Sequence, residues 1–304
     1  MSDRAAGPGN DRIALNPIQW IATHDGWLDP ALSPPPERLL GLVKEAGFNT
    51  IMAEVPAGWS VRQYQDALDG HGLGLAPGYF ASRSDGLDGM QDEVVRAGAA
   101  VARQHAELGL HDVGLALAMN KDAPRVIRPA RGTDSDEARL GALVALIKRI
   151  GEAMRAEGVR PALHPHVGTW VETERECRAV LDAVEPDSLG FLPDTGHLAW
   201  AGADVVKLIT DYAGRLAFVH VKDCRLTVAG QGRALGWTYQ QTVTAGLWAE
   251  PGRGELPLTA ILDALPDGFG GALVVEVDRP DIGGPAESAR ASASWMHARE
   301  SGDR

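Results

Sequence analysis

Cysteine is nearly absent from this 304-residue sequence, which contains only Cys177 and Cys224. Two cysteines cannot form a disulfide framework, so the chain suits a reducing compartment. It has no apolar run of about 18 residues, which a transmembrane helix would require. Residues 1–12 lack the apolar stretch of a signal peptide and predict a flexible N-terminal tail. We therefore expect a cytoplasmic protein.

Basic residues are also scarce, because 29 lysines and arginines stand against 41 aspartates and glutamates, which gives a formal net charge of −12. A negative field repels phosphate groups, so nucleic acid and an anionic membrane surface are disfavoured as partners. Hydrophobic residues make up 44% and charged residues 23% of the chain, both ordinary for a packed protein. The composition therefore predicts a globular protein that binds neither nucleic acid nor membrane.

Short apolar runs alternate with longer amphipathic ones along the whole chain. Such short runs are typical of strands that are buried on both faces of a parallel sheet. The eight predicted strands cover residues 13–19, 50–54, 74–79, 112–118, 160–164, 189–192, 216–220 and 272–276. Eight strands, each followed by a helix, predict an α/β fold that is a single (β/α)8 TIM barrel over residues 13–300.

A doubly wound open sheet is the alternative fold. It usually carries a glycine-rich phosphate turn after its first strand, and residues 19–27 lack one. Two helix starts are marked by Thr173-x-x-Glu176, a capping box, and by the similar pattern Asp134-x-x-Glu137. Residues 224–256, between the seventh strand and its helix, form a predicted loop whose length is typical of a functional segment.

The last residues of the strands are informative, because a TIM barrel has its active site at the carboxyl ends of its strands. The fifth to eighth strands end on His164, Asp194, His220 and Glu276 at matching depths. Each of these residues could simply cap its own loop, but four in step on adjacent strands favour a shared site. Imidazole and carboxylate groups together suit a divalent transition metal.

Other ionisable residues accompany these four. Glu54 ends the second strand, and His166 follows the fifth. His197 lies three residues after Asp194, so it could contact the metal ligands, donate to a substrate, or simply form the first turn of a helix.

Lys222 lies two residues after His220, and the period of two along an extended chain puts both on the same side. Its ammonium group could bind a substrate oxygen. It could equally form a salt bridge with Asp223 or Glu250.

The loop after the first strand contributes candidate substrate-binding residues, namely Trp20, His24 and Trp27. Tryptophans at this end of a barrel could stack on the apolar faces of sugar rings, or they could pack structurally. Arg253 is a further candidate, in a glycine-rich loop that lacks the Lys-Ser/Thr of a phosphate-binding P-loop.

Together these motifs resemble those of the xylose isomerase-like TIM barrels, the sugar phosphate isomerase/epimerase superfamily. The resemblance covers about residues 13–295. It is carried by Asp194-Thr-Gly-His197, His220-Val-Lys-Asp223, Gly252-Arg-Gly-Glu255 and Val-Val-Glu276. It implies a sugar-converting barrel enzyme with one divalent metal ion at His164, Asp194, His220 and Glu276.

Within that superfamily, three segments look most similar to the inosose dehydratase branch. They are Asn16-Pro-Ile-Gln-Trp20, His164-Pro-His-Val-Gly-Thr169 and Asp194-Thr-Gly-His197. This branch removes water from a keto-inositol with a divalent metal, so the resemblance implies a sugar or cyclitol substrate and favours manganese or cobalt over zinc and magnesium. A homo-oligomer is compatible with it.

One position departs from the epimerases of the superfamily, which place a glutamate where His164 stands. Their two metal-bound glutamates each move a proton on one face of the substrate, and only Glu276 remains of that pair here. The four ligands then carry two negative charges instead of three, and the ion should remain the stronger Lewis acid. The departure favours enolate formation and expulsion of a β-hydroxyl, that is, a dehydratase.

The roles implied by this chemistry are shared among a few residues. Candidate bases are Glu276, His166 and Glu54, and candidate acids are His197 and His166. Lys222 would hold the enolate oxygen. Three alternatives stay open: an isomerase or 3-epimerase, a keto-glycoside or C-glycoside lyase, and an inactive sugar-binding barrel without metal.

Overall fold

The computed structural model describes residues 12–117 and 119–302. The predicted tail over residues 1–12 lies outside the described residues apart from Arg12, and so does Ala118, at the end of the fourth predicted strand. Arg12 donates to a carboxylate oxygen of Glu300 across 3.0 Å, which joins the two ends of the described chain. None of the helices in the described ranges is long and apolar enough to cross a membrane.

Short strands alternate with helices along the described chain. The strands are β1 (Ile13–Leu15), β2 (Thr50–Met52), β3 (Gly74–Ala76), β4 (Tyr79–Ser82), β5 (Asp112–Leu117), β6 (Arg160–Leu163), β7 (Gly190–Phe191), β8 (Val219–Val221), β9 (Asp223–Cys224), β10 (Trp248–Ala249) and β11 (Leu273–Val275). The α-helices are α1 (Pro36–Glu45), α2 (Val61–His71), α3 (Gln91–Glu107), α4 (Pro124–Ile127), α5 (Glu137–Ala156), α6 (Glu174–Ala183), α7 (Thr195–Trp200), α8 (Val205–Asp211), α9 (Leu226–Leu235), α10 (Tyr239–Thr244), α11 (Leu258–Asp263) and α12 (Pro285–Ser301). Short 3-10 helices cover Pro17–Ile21, Pro30–Leu32 and Ala213–Arg215.

Parallel pairing joins the barrel strands side by side. One run has the order β3-β2-β1-β11-β8, and the other has the order β4-β5-β6-β7. The two runs meet where β3 leads into β4. They meet again beside β7, where the amides of Ala217 and His220 donate to the carbonyls of Phe191 and Pro193 at 2.9 and 3.0 Å. All eight predicted strands take part, and the (β/α)8 fold is confirmed.

The third predicted strand is broken into β3 and β4 at Pro77 and Gly78. Proline has no amide hydrogen, so the ladder cannot run through it. Gly78 packs so closely on the carbonyl of Ala53 that a side chain would not fit. Its amide donates to Nε2 of buried His105 at 3.1 Å. The break therefore follows from the residue types at these two positions.

Alternation along the strands creates two layers of core. One layer fills the barrel interior and contains Ala14, Met52, Ala76, Ala162, Leu192, Phe218 and Val274. The intervening residues, such as Ile13 and Leu15, pack with the residues of the surrounding helices. Because inward side chains recur every second residue, the positions that follow at the carboxyl ends of the strands also face the barrel axis.

Two local predictions are wrong. Helix α5 is capped by Asp136, whose carboxylate accepts the amide of Arg139 at 2.8 Å, whereas Asp134 lies in a turn with a positive φ. Residues 224–256 are not a plain loop, because they contain the antiparallel pair β9–β10 and the helices α9 and α10. The capping box at Thr173 is confirmed.

Candidate metal centre

Strand alternation brings the four predicted metal ligands together at the carboxyl end of the barrel. They are His164, Asp194, His220 and Glu276, which follow the inward-facing Ala162, Leu192, Phe218 and Val274 by two residues each. Their ligand atoms all lie within 4.8 Å of one another, and all four residues are buried. The matching depths expected from the sequence are present in the structure.

Several ligand atoms face one another without forming hydrogen bonds. His164 Nε2 lies 3.5 Å from Asp194 Oδ2. Among the described residues, neither atom has a hydrogen-bond partner, and neither does His220 Nδ1, which lies 3.9 Å from Asp194 Oδ2. Buried polar atoms without partners are costly, and a divalent ion between these three would satisfy all of them. Two imidazoles and two carboxylates are a donor set that fits such an ion.

Each position of the Asp194-Thr-Gly-His197 motif has a structural reason. Asp194 Oδ1 accepts the amide of His197 at 2.8 Å and caps α7, which leaves Oδ2 for the ligand cluster. Thr195 Oγ1 accepts the amide of Lys222 at 2.9 Å. At Gly196 a Cβ would lie 2.7 Å from Lys222 Cγ, so only glycine lets that lysine pass.

Lys222 is fully buried between three carboxylates. Its Nζ lies 2.6 Å from Glu276 Oε1, 2.8 Å from Asp278 Oδ1 and 3.4 Å from Asp194 Oδ2. Burial alone would lower the pKa of Lys222, but these carboxylates hold it well above its usual range. Three carboxylates and one ammonium leave an excess of negative charge that a divalent cation would balance.

The alternative salt bridges predicted for Lys222 do not form. Asp223 points to the other side of the extended chain and accepts the amides of Gly252, Gly254 and Leu256. Glu250 accepts the amide of Asp281 at 3.1 Å. Both carboxylates therefore shape loops beside the site.

Both oxygens of Glu276 are engaged. Oε1 accepts from Lys222, and Oε2 accepts from Asn16 Nδ2 at 2.6 Å and lies 3.0 Å from His220 Nδ1. Burial would raise the pKa of Glu276, yet Lys222 and His220 lower it well below its usual range. Glu276 is thus an ionised carboxylate, and both of its oxygens already have partners.

A second group of ionisable residues, His166, His197 and Asp278, adjoins the ligands. The rings of His166 and His197 lie 3.7 Å apart between centroids. Burial lowers the pKa of His166 to about 3 and that of His197 well below its usual range, so both rings are neutral. His166 Nδ1 lies 2.7 Å from the carbonyl of Val167, where a neutral ring must donate, which makes Nε2 the acceptor. Burial raises the pKa of Asp278 to about 6.

A cavity of about 550 Å³ opens beside these groups. Its polar lining includes the buried Asn16 and Glu276 and the half-buried Tyr79 and His166, and its more exposed lining includes Trp27 and Leu28. Cavities of this size are typical of small-molecule sites. Of the predicted catalytic and substrate residues, His166, Glu276, Glu54 and Trp27 line this cavity, and Glu54 is exposed.

Three predicted substrate residues are not brought to the cavity. Trp20 lies on the 3-10 helix Pro17–Ile21 and packs against the hydrophobic core. His24 is exposed in a turn, and Arg253 extends into solvent with its guanidinium 3.8 Å from a carboxylate oxygen of Glu250. Strand alternation does not fix the orientation of loop residues, so their side-chain directions could not be predicted from the sequence.

Three contributors to the site are absent from the predicted set. Asn16 binds Glu276, Asp278 binds Lys222, and the hydroxyl of Tyr79 lies 3.5 Å from His164 Nδ1. The period of two could have found two of them, because Asn16 follows the inward Ala14, and Asp278 follows Glu276.

Comparisons with known proteins agree with the barrel fold. Residues 40–299 match a family model described as Xylose isomerase-like TIM barrel. The chain is 30% identical over 283 residues to the rhizopine catabolism protein MocC of Rhizobium meliloti, covering 88% of this chain and 82% of that protein. It is 32% identical over 156 residues to an inosose dehydratase of Geobacillus thermodenitrificans, covering 51% of this chain and 52% of that protein. The match thus spans about half the length of the dehydratase.

Solved structures share the architecture. A structure of L-ribulose 3-epimerase matches with a TM-score of 0.67 and 18% identity, covering 96% of this chain and 95% of that one. A structure of the IOLI protein with a bound zinc atom matches with a TM-score of 0.67 and 16% identity, covering 96% and 98%. At these identities the similarity establishes the fold alone.

Proposed function

The chain belongs to the xylose isomerase-like TIM barrel family, and we propose that within this family it is a divalent-metal-dependent lyase that dehydrates a keto-inositol or a related keto-sugar. The observation that carries the proposal is the buried donor set of two histidines, one aspartate and one glutamate. The similarity to an inosose dehydratase supports a cyclitol substrate and elimination of water.

His164, Asp194, His220 and Glu276 are the residues that would hold the ion. A bound divalent ion, for which we favour manganese or cobalt, would supply Lewis acidity toward the carbonyl of the substrate. Only two of these ligands are anionic, so they quench less of that acidity than three carboxylates would.

We assign removal of the α-proton to His166. It lines the cavity, and its Nδ1 contact with the carbonyl of Val167 leaves the Nε2 lone pair as acceptor. Glu276 is less suited, because both of its oxygens already accept hydrogen bonds. Lys222 does not line the cavity, but its buried ammonium, 2.6 Å from Glu276 Oε1, would stabilise the negative charge that develops on the enolate as a fixed cation behind the cavity wall.

The same imidazole can return the proton to the departing β-hydroxyl, so that water leaves and an enone remains. His197 does not line the cavity, lies against the ring of His166 and contacts Lys222 Nζ at 3.1 Å through Nε2. We therefore assign His197 to the positioning of both groups. Glu54, exposed at the cavity, is the alternative base.

Epimerisation requires a second base on the opposite face of the substrate. His164 stands where that base would be, and its two ring nitrogens face Asp194 at 3.5 Å and Tyr79 at 3.5 Å. This arrangement disfavours the isomerase and 3-epimerase alternative. A keto-glycoside or C-glycoside lyase would use the same residues and differ only in its leaving group.

A substrate panel tests the proposal. The manganese-loaded protein is incubated in D2O with keto-inositols, keto-sugars, keto-glycosides and the parent polyols, while enone absorbance and α-deuteration are recorded. We expect enone and exchange with a keto-inositol or keto-sugar and neither with a polyol. Interconversion of epimers without loss of water would establish the epimerase, and release of an aglycone would establish the glycoside lyase. A protein that binds sugar, holds no metal and introduces no deuterium into the substrate would be a binding barrel without activity.

A further inference from the structure

Glu172 is a buried carboxylate that lines neither the cavity nor the ligand cluster. Each of its two oxygens accepts two backbone amides. The donors are Ala130, Arg131 and Gly132 on one loop and Gly168 on another, at 2.8–3.2 Å. One side chain therefore joins the β5–α5 loop, residues 119–136, to the β6–α6 loop, residues 164–173.

Both loops reach the active-site cavity. Met119 lines it from the first loop, and His166 lines it from the second. The loops touch each other beside these residues, because a Cβ on Gly168 would lie 2.6 Å from Met119 Sδ. The amide of Gly168 also donates to Glu172, so the same residue contacts both Met119 on the other loop and the carboxylate.

The backbone around Glu172 is held in unusual conformations. Ala130 has a φ of 59°, which side-chain-bearing residues rarely adopt, and Gly132 and Gly168 have φ of 63° and 91°. These conformations direct successive amides toward one anion, as in other backbone anion sites. Without the carboxylate, four amides would lose their acceptor, and the strained turn would lose the bonds that oppose its relaxation.

We propose that Glu172 is a positioning residue, which locks the β5–α5 loop onto the β6–α6 loop and thereby fixes His166 and the cavity wall at Met119. The kinetic consequence rests on the proposed function. The structural consequence, the locking of two loops, does not.

Hydrogen exchange followed by mass spectrometry tests the lock in Glu172→Gln. The side-chain amide that replaces the carboxylate points its NH2 group at two backbone amides that need an acceptor. We therefore expect about tenfold faster exchange in peptides 128–134 and 165–171. Helix α6 and the barrel strands should exchange as in the wild type. Glu137→Gln makes the same chemical change on an exposed side chain of α5 and should leave both loops unchanged.

Steady-state kinetics with the keto-inositol complete the test. We expect KM to rise about tenfold in Glu172→Gln while manganese content stays at the wild-type value. Wild-type exchange in both loops, or acceleration spread equally through the barrel, would overturn the lock. Looser loops with unchanged KM and kcat would overturn the positioning role.

A second variant covers the case in which Glu172→Gln does not fold. Glu172→Asp keeps the charge but withdraws the oxygens by one methylene, and we expect faster exchange in the same two peptides. Unaltered exchange in this variant would overturn the lock. A wild-type protein that dehydrates nothing would refute the proposed function and leave the exchange result standing.

Discussion

At the residue scale, the two oxygens of each carboxylate take different partners. Asp194 gives one oxygen to the first turn of α7 and keeps the other, free of hydrogen bonds from the described residues, for the ligand cluster. Glu276 divides its oxygens between Lys222 on one side and Asn16 and His220 on the other. Substitution of either carboxylate therefore changes both the charge of the site and the position of its neighbours, and the informative variants are those at other residues that change only one.

Gly196→Ala changes position alone. The added Cβ would lie 2.7 Å from Lys222 Cγ and 3.0 Å from the ring of Trp248, so Lys222 must shift. Misplacement of a catalytic group by about 1 Å can cost about 10²-fold, and we expect that loss in turnover with normal manganese content. Gly230→Ala, which meets nothing within 4 Å, is the control. Wild-type turnover in Gly196→Ala would refute a role for the exact position of Lys222.

His164→Glu changes charge at a position that the epimerases fill with glutamate. A third anionic ligand weakens the Lewis acidity of the ion, so we expect dehydration to slow about tenfold or more. Exchange of the α-proton, and epimerisation, should persist or increase. NMR in D2O separates the two reactions. Unchanged dehydration would mean that this ligand does not determine the reaction type.

At the scale of the elements, a buried ion pair ties α4 to α6. The guanidinium of Arg125 donates two hydrogen bonds to Glu176, at 2.9 and 2.7 Å, and both side chains are 2% exposed. Arg125 also donates to the carbonyls of Thr133 and Thr169, at 2.9 and 3.1 Å. The pair therefore anchors the outer part of the two loops that Glu172 joins.

Arg125→Met should destabilise the protein by about 3–5 kcal/mol, because it leaves the carboxylate of Glu176 buried and unpaired. Burial would raise the pKa of Glu176, but Arg125 holds it below its usual value of 4.5. The stabilisation is therefore present above that value and is lost as the pH falls through the lower folded pKa. Urea unfolding at pH 7 and in acid measures both effects.

The matched control is Arg62→Met, which removes an exposed pair with 3.9 Å between Arg62 and Asp66. Such a pair contributes less than about 1 kcal/mol. A loss of that size in Arg125→Met as well would contradict the role of the buried pair.

Most helices and strands could be predicted from short local patterns in the sequence. The predictions failed where the structure depends on residues that are far apart in the chain. Strands were recognisable because they are apolar throughout, and Thr173 because a capping box is short. The same box at Thr238 marks α10 and could have been used, whereas α9 has no side-chain cap at its start. The neighbours of Lys222 come from different strands, and only the closed barrel fixes their distances.

At the scale of the whole molecule, the site joins distant parts of the chain. Of the predicted ligands, His164, Asp194 and Glu276 follow β6, β7 and β11, and His220 lies in β8, so an ion bound there would tie together half of the barrel. In the metal-free barrel, the three buried carboxylates around Lys222 carry more negative charge than its one ammonium group neutralises. The cytoplasmic location and a homo-oligomeric state stay predictions from the sequence.

Metal binding should therefore stabilise the entire fold. Ligand at about 100 times its Kd adds about 2.7 kcal/mol to the free energy of unfolding, and we expect Tm to rise by several degrees when manganese is added to metal-free protein. Asp194→Asn, which removes a ligand charge, should lose most of this rise. An equal rise in the variant and the wild type would place the ion elsewhere.

The decisive measurement is the rate of enone formation from a keto-inositol as manganese is titrated into metal-free protein, plotted against the manganese bound per chain. We expect no reaction without metal, a rate that rises in proportion to occupancy, and saturation at one ion per chain. A rate that is independent of bound manganese would contradict metal-dependent dehydration, and so would an occupied site that yields only epimers.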